Sequence, residues 1–245
     1  MIDWRDVSLL GIDVGFSKTA KSTGIAVYDR GRLVTLTCVG SSSQNRNDVL
    51  PPGLLFDALA IDGPIVPGTD TFAARECEAI LSGGKFSRRC KPGLSHFGFG
   101  LPLRAAATTI AHEMQARASS TRIIVEAFPN AFLGVLLDDD DYMALGHIQR
   151  GSKSDVYYAR VAATKRFDPI FDLLGWRDDV LRATLHDLAE TPTRAAHDKR
   201  AALVCLLTAA CALSGEAEYI GDDSGGRICL PPKSLWAAWA RDALP

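Results

Sequence analysis

The chain has 245 residues, 47% of them hydrophobic and 23% charged, with a formal net charge of -2 at pH 7. That balance is ordinary for a globular protein, and it excludes both a disordered chain and a surface generally coated for nucleic acid, while leaving room for a local basic patch. No apolar run reaches the length of a membrane span, Met1 to Asp6 is no signal peptide, and six scattered cysteines without a C-x-x-C pair read as buried thiols of a cytoplasmic protein rather than a zinc site or disulfide frame.

Strands are expected at 7–13, 23–29 and 32–39, with Asp29-Arg30-Gly31 as the tight turn between the last two. Residues 41–52 are polar and then Pro-rich, a loop or a short irregular helix. Residues 54–61 lead into a fourth strand, "ALAID", which ends on Asp62. The next segment is loop-like at both ends, with a short helix expected at 71–82. A longer helix follows at about 103–118, then a fifth strand, "RIIVEAFP", carrying Glu126. Residues 138–195 read as a charged helical insertion. An apolar helix is expected over 197–213, burying Leu203, Val204, Leu206, Leu207, Ala210 and Cys211, and "GRICLPP" closes the chain as a short strand or extended segment. This order predicts a single α/β domain over 1–245 with a mixed five-stranded sheet flanked by helices. Loops at the carboxyl ends of its strands are the expected place for a site.

Three strands share one pattern: "LLGID", "ALAID" and "IIVEAFP" each end in or just after a carboxylate. A lone Asp after a strand is more often a turn former or helix cap. Three matched strand ends point further. Strands one, four and five can lie side by side, bringing Asp13, Asp62 and Glu126 together, with Asp198 at the start of the apolar helix as a fourth acid. Clustered like charges need divalent cations or raised pKa values. Hard oxygen ligands suit Mg²⁺ or Mn²⁺, and two such ions would activate water and stabilise the leaving oxygen of a phosphodiester. The run Asp138 to Asp141 reads instead as a solvated charge cluster.

The motifs "GIDVGF...GIAVYD", "AIDGPI", "ARECEAILSGGKFSRRCKPG", "VEAFPNAFLG", "HDKRAALVCLLTAACA" and "GRICLPP" together resemble the domain-of-unknown-function family 429. Members of that family are predicted to be RNase H-like nucleases, related in fold to Holliday-junction resolvases. The resemblance spans nearly the whole chain except 138–195. It implies an RNase H-like core and metal-ligand roles for Asp13, Asp62 and Glu126. The family's last helix usually opens with an acid and carries a second Asp; this chain keeps Asp198 but has Ala201 at the second position.

The segment "GGKFSRRCKPGLSHFGFG" gathers Lys85, Arg88, Arg89 and Lys91, with Phe86, His96, Phe97 and Phe99 interleaved. Cations would neutralise phosphates while rings stack on splayed bases. Arg75 and His96 are expected at the same phosphates, and Lys18 and Lys21 either extend the patch or are plain solvated turn residues. The alternative is a solubilising loop with its phenylalanines tucked into the core. His197, beside Asp198, reads as a cap residue or as an orienter of a carboxylate or water; His112, His147 and His186 have no clustered partners.

Three functions compete. The first is a metal-dependent nuclease acting on DNA or RNA, with no membrane partner. The second is an ATP-binding phosphotransferase of the actin and sugar-kinase class, for which the hairpin after Asp13 would cradle phosphates. The third is a nucleic-acid-binding module without catalysis.

Overall fold

The chain begins with a three-stranded meander: β1 (Ser8–Asp13), β2 (Ser22–Asp29) and β3 (Arg32–Gly40). Arg30 and Gly31 both take positive φ, 47° and 86°. Two left-handed residues are what a two-residue turn between right-twisted strands requires. The computed structural model describes residues 2–15, 22–66, 74–145, 152–191 and 193–244, with backbone alone for 120–122 and 194. After the meander come α1 (Ser43–Val49), β4 (Phe56–Asp62), α2 (Glu76–Leu81), α3 (Phe86–Arg89), α4 (Gly100–Gln115) and β5 (Ala118–Ala127). Then follow α5 (Pro129–Leu136), α6 (Asp139–Ala144), α7 (Lys153–Ala163), α8 (Asp168–Leu174), α9 (Asp179–Ala189) and α10 (Arg194–Ser214). The chain finishes with β6 (Glu218–Asp222), β7 (Gly226–Leu230) and α11 (Ala238–Ala243).

The seven strands among the described residues join one mixed sheet in the order β3-β2-β1-β4-β5-β7-β6. The five expected strands are neighbours in it, but the sheet is wider than the five expected. β7 runs parallel to β5, and β6 adds an antiparallel edge. The sheet has two covered faces. Leu10, Ile12, Leu59 and Ile61 pack against Ala107, Ile110 and Met114 of α4. Leu9, Ala26, Ala58 and Ala60 pack against α10.

The α10 face is built from small residues, and two of them must be glycine. A Cβ on Gly11 would lie 2.3 Å from the Ala202 carbonyl oxygen and 2.4 Å from the Leu206 nitrogen; on Gly24 it would lie 2.1 Å from the Asp198 carbonyl oxygen. The helix backbone therefore rests directly on the strand backbones.

The expected stripe of α10 is buried, but so are Ala202, Cys205, Thr208 and Ala209 on its other sides. A helix apolar all round is a core helix. Its outer side is covered by residues from 138–195: Tyr158, Phe167, Phe171, Trp176, Leu181 and Leu185 belong to the same apolar cluster as Leu203 and Leu207. This helical region therefore completes the core. No helix among the described residues is long and apolar enough to cross a membrane.

Candidate active site

β1 and β4 run parallel with Asp13 opposite Asp62. Side chains alternate along a strand, so Leu9, Gly11 and Asp13 share a face with Ala58, Ala60 and Asp62. That is the face under α10. Both acids keep a partly exposed edge at the strand ends.

Asp198 comes down from above. The sequence pattern places it at the helix start, but α10 begins four residues earlier, where the Thr193 hydroxyl accepts a 3.1 Å bond from the Ala196 nitrogen. Asp198 is therefore no cap. It is buried, and its Oδ2 has no hydrogen-bond partner among the described residues. The close seating of its backbone on Gly24 fixes its height over the sheet.

These carboxylates perturb one another. Burial holds Asp13 well above the usual carboxylate range, and the charges of Asp62 and Asp198 push it further. Burial and the charge of Glu126 raise Asp62 to about 7, against a smaller opposing pull from His197. Buried acids without a paired cation behave this way.

Glu126 is not part of this group. It lies opposite Ile61 rather than Asp62, so its side chain leaves the other face of the sheet. There Arg75 holds it with two 2.6 Å bonds, one to each carboxylate oxygen, and the Ile65 nitrogen donates a third at 2.9 Å. Arg75 also donates to Glu78 at 3.0 Å and is itself buried. Thus the expected ligand Glu126 and the expected phosphate contact Arg75 neutralise each other in the interior.

The basic segment is largely engaged as well. Lys85 and Arg89 both pair with Asp139, at 3.2 and 2.6 Å, and the Arg89 guanidinium lies 3.9 Å over the Tyr142 ring and 4.4 Å over that of Trp239. Phe86 is buried, whereas Arg88 and Lys91 are exposed. His96 sits 3.9 Å from Glu78, on the far side of that residue's carboxylate. Lys18, Lys21 and His147 lie outside the described residues, as does part of the helix expected at 71–82.

Two other expectations need correction. The acidic run at 138–141 is not merely solvated: Asp138 caps α6, and Asp141 is buried against Arg160 and Arg166. His197 is not a cap either. Its Nδ1 lies 3.0 Å from Asp155 Oδ1 and 3.2 Å from the Ser152 hydroxyl, while Arg200 donates to the same Asp155 at 2.9 Å. The Asp155 hydrogen bond raises the His197 pKa above its ordinary value. Asp155 and Arg200 escape a reading of the sequence because they gain their partners only when α7 meets α10. No pattern within either segment marks them.

What the arrangement offers is a carboxylate pair at two strand ends beneath a third, unpartnered carboxylate. Among the described residues no three His, Cys, Asp or Glu side chains stand close enough to form a ready metal cage. No protein family, curated protein or solved structure matches this chain.

Proposed function

We propose that the chain is a metal-dependent nuclease that hydrolyses phosphodiester bonds of DNA or RNA. The observation that carries the reading is the register of Asp13 with Asp62, two carboxylates side by side under Asp198. The strand order β3-β2-β1-β4-β5, with only β2 antiparallel to its neighbours among the central three and α10 across β1, agrees with an RNase H-like core. The collinear motifs support membership of the domain-of-unknown-function family 429.

The donor chemistry fits Mg²⁺ or Mn²⁺ in part. Asp13 and Asp62 supply hard oxygens at a partly open edge, and the unpartnered Asp198 Oδ2 supplies a third. Such a cation would lower the pKa of a bound water and stabilise the leaving oxygen. Glu126 stands outside the ligand set, because both of its oxygens serve Arg75. Arg88 and Lys91 remain as exposed cations for the substrate backbone.

A second reading, nucleic-acid binding without cleavage, is favoured by Ala201. It stands where the resembled family has its second helix acid, and it lies buried beside Asp155 and Arg200. One experiment separates the two. Single-stranded, duplex and branched substrates are incubated with Mg²⁺, Mn²⁺ or chelator, for the wild type and Asp62→Asn. The nuclease reading expects cleavage that chelator and the substitution both abolish. Binding without cleavage under every condition would favour the second.

A further inference from the structure

The end of the basic segment turns its large apolar side chains outward. Leu94, Phe97, Phe99 and Leu101 are 41%, 72%, 86% and 46% exposed. Exposed apolar residues scattered singly need no explanation, but four within one short stretch of chain form a patch of the kind that marks an interaction surface. The core takes a ring from the same segment: Phe86 is buried, its ring 5.2 Å from that of Trp239. Phe97 and Phe99 are left outside.

Their backbone is held in place. Buried Glu78, itself bonded to Arg75 at 3.0 Å, accepts from the Ser95 nitrogen at 3.0 Å and ties the loop to α2. The Phe97 nitrogen donates to the Leu94 carbonyl at 3.3 Å, and the Gly100 nitrogen to the Phe97 carbonyl at 3.0 Å. Gly98, between the two rings, takes a positive φ of 56°, and a Cβ on Gly100 would lie 1.9 Å from the Leu94 carbonyl oxygen. A loop already ordered in this way loses less entropy when its side chains meet a partner.

We infer that Phe97 and Phe99 form a stacking platform for unpaired bases of a single-stranded nucleic acid whose backbone Arg88 and Lys91 neutralise. Three observations select this occupant over a membrane surface or a protein chain. Arg88 and Lys91, earlier in the same segment, are exposed, while Asp139 is taken by Lys85 and Arg89 instead. Cations beside aromatic rings are what a strand with both phosphates and open base faces requires. The two most exposed members of the patch are planar rings, and every base has a face to lay on one.

The third observation is position. Pro92, Gly93, Ser95 and Gly100 of this loop share with Asp62 the walls of one small cavity, about 80 Å³ in volume. The loop therefore stands beside the strand-end acid that pairs with Asp13. Bases inside a duplex are already stacked on one another, so the platform selects single strands. This deepens the nuclease reading by naming its substrate class, and rests on that reading only for the work of Asp62.

The test compares three fluorescent probes by anisotropy, in chelator so that nothing is cleaved: an oligothymidylate, an oligomer of equal length with abasic sites throughout, and a duplex. The wild type should bind the oligothymidylate at least about fivefold more tightly than the abasic oligomer, which carries the same phosphates without bases, and more tightly than the duplex. Phe97→Ala and Phe99→Ala should each weaken oligothymidylate binding about fivefold or more and leave abasic binding unchanged, whereas Phe97→Tyr and Phe99→Tyr keep the preference. Arg88→Ala should weaken both oligomers alike. Melting curves confirm that each variant is folded. A wild type that binds the two oligomers equally, or the duplex as tightly as the oligothymidylate, would overturn the inference. So would alanine variants with unchanged oligothymidylate binding, whether they lose binding to phosphatidylserine vesicles, which would make the patch a membrane contact, or lose a dimer in sedimentation, which would make it a contact between copies. If the rings hold the oligothymidylate but no substrate is cleaved with Mg²⁺ or Mn²⁺, the nuclease reading fails while the platform stands.

Discussion

Replacing Asp62 with Asn should stabilise the metal-free protein at alkaline pH. Burial beneath α10 and neighbouring negative charge lift the Asp62 pKa from 3.8 to about 7. An acid whose folded value is raised binds more protons folded than unfolded between those two values. Stability therefore falls as pH rises through that window, and the full penalty is present above pH 7. At about 1.4 kcal/mol per unit, a shift of roughly three units sets a ceiling near 4 kcal/mol. Relaxation and water entry at the partly exposed edge reduce it, so Asp62→Asn should gain about 1–3 kcal/mol at pH 8. Urea unfolding of wild type and variant in chelator, at pH 5 and pH 8, measures the difference. The gain should shrink at pH 5, where Asp62 is already protonated. Added Mg²⁺ should raise wild-type stability and leave the variant unchanged. A variant less stable than wild type at pH 8, or a difference independent of pH, would show that the Asp62 charge is not a burden on the folded protein.

Gly11→Ala should destabilise by about 3 kcal/mol or more, because its Cβ would meet backbone atoms of α10 at 2.3 and 2.4 Å, which no rotamer change relieves; denaturant melts followed by circular dichroism read it. Asp155→Asn should lower the His197 pKa towards its ordinary value, since the Asp155 hydrogen bond is the main cause of its rise; an NMR pH titration of the ring protons shows the shift. Removing both Arg88 and Lys91 should weaken nucleic-acid binding regardless of sequence and flatten its salt dependence by about 0.7 to 0.9 in log-log slope for each phosphate no longer neutralised. Binding measured at several salt concentrations checks this, and an unchanged slope would move the phosphate-binding cations elsewhere.

Much of the sheet was legible because each strand carries its own pattern. "ALAID" alternates small and large residues, and the structure turns Ala58 and Ala60, together with Gly11 of "SLLGID", towards α10. The hairpin at Arg30-Gly31 was legible from the turn residues alone. β6 was not, since "EYIGD" buries a single residue and pairs only at the sheet edge. The pairing of Asp13 with Asp62 followed from equal strand ends. Glu126 failed the same reasoning because parity decides which face a side chain takes, and β5 enters the sheet one residue out of step with β4. No composition of "RIIVEAFP" reveals that offset. Likewise the cations of 85–91 look available in sequence, and Asp139, Tyr142 and Trp239 claim two of them only once α6 and α11 are in place. The glycines at 11 and 24 held the strongest unread signal, since small residues recurring on one face of two paired strands announce a closely seated helix.

The proposed function requires a divalent cation to draw Asp13, Asp62 and Asp198, which do not form a ready cage by themselves, into one site from which Glu126 is excluded. Titration of Mn²⁺ into metal-free protein, followed by electron paramagnetic resonance at pH 8, tests it with wild type, Asp13→Asn, Asp62→Asn, Asp198→Asn and Glu126→Gln. Binding should be abolished in the first two variants, weakened at least about tenfold in the third, and retained in Glu126→Gln, provided its melting curve shows a folded protein. Failure of folded Glu126→Gln to bind Mn²⁺, or retention of Mn²⁺ by Asp13→Asn, would contradict the account.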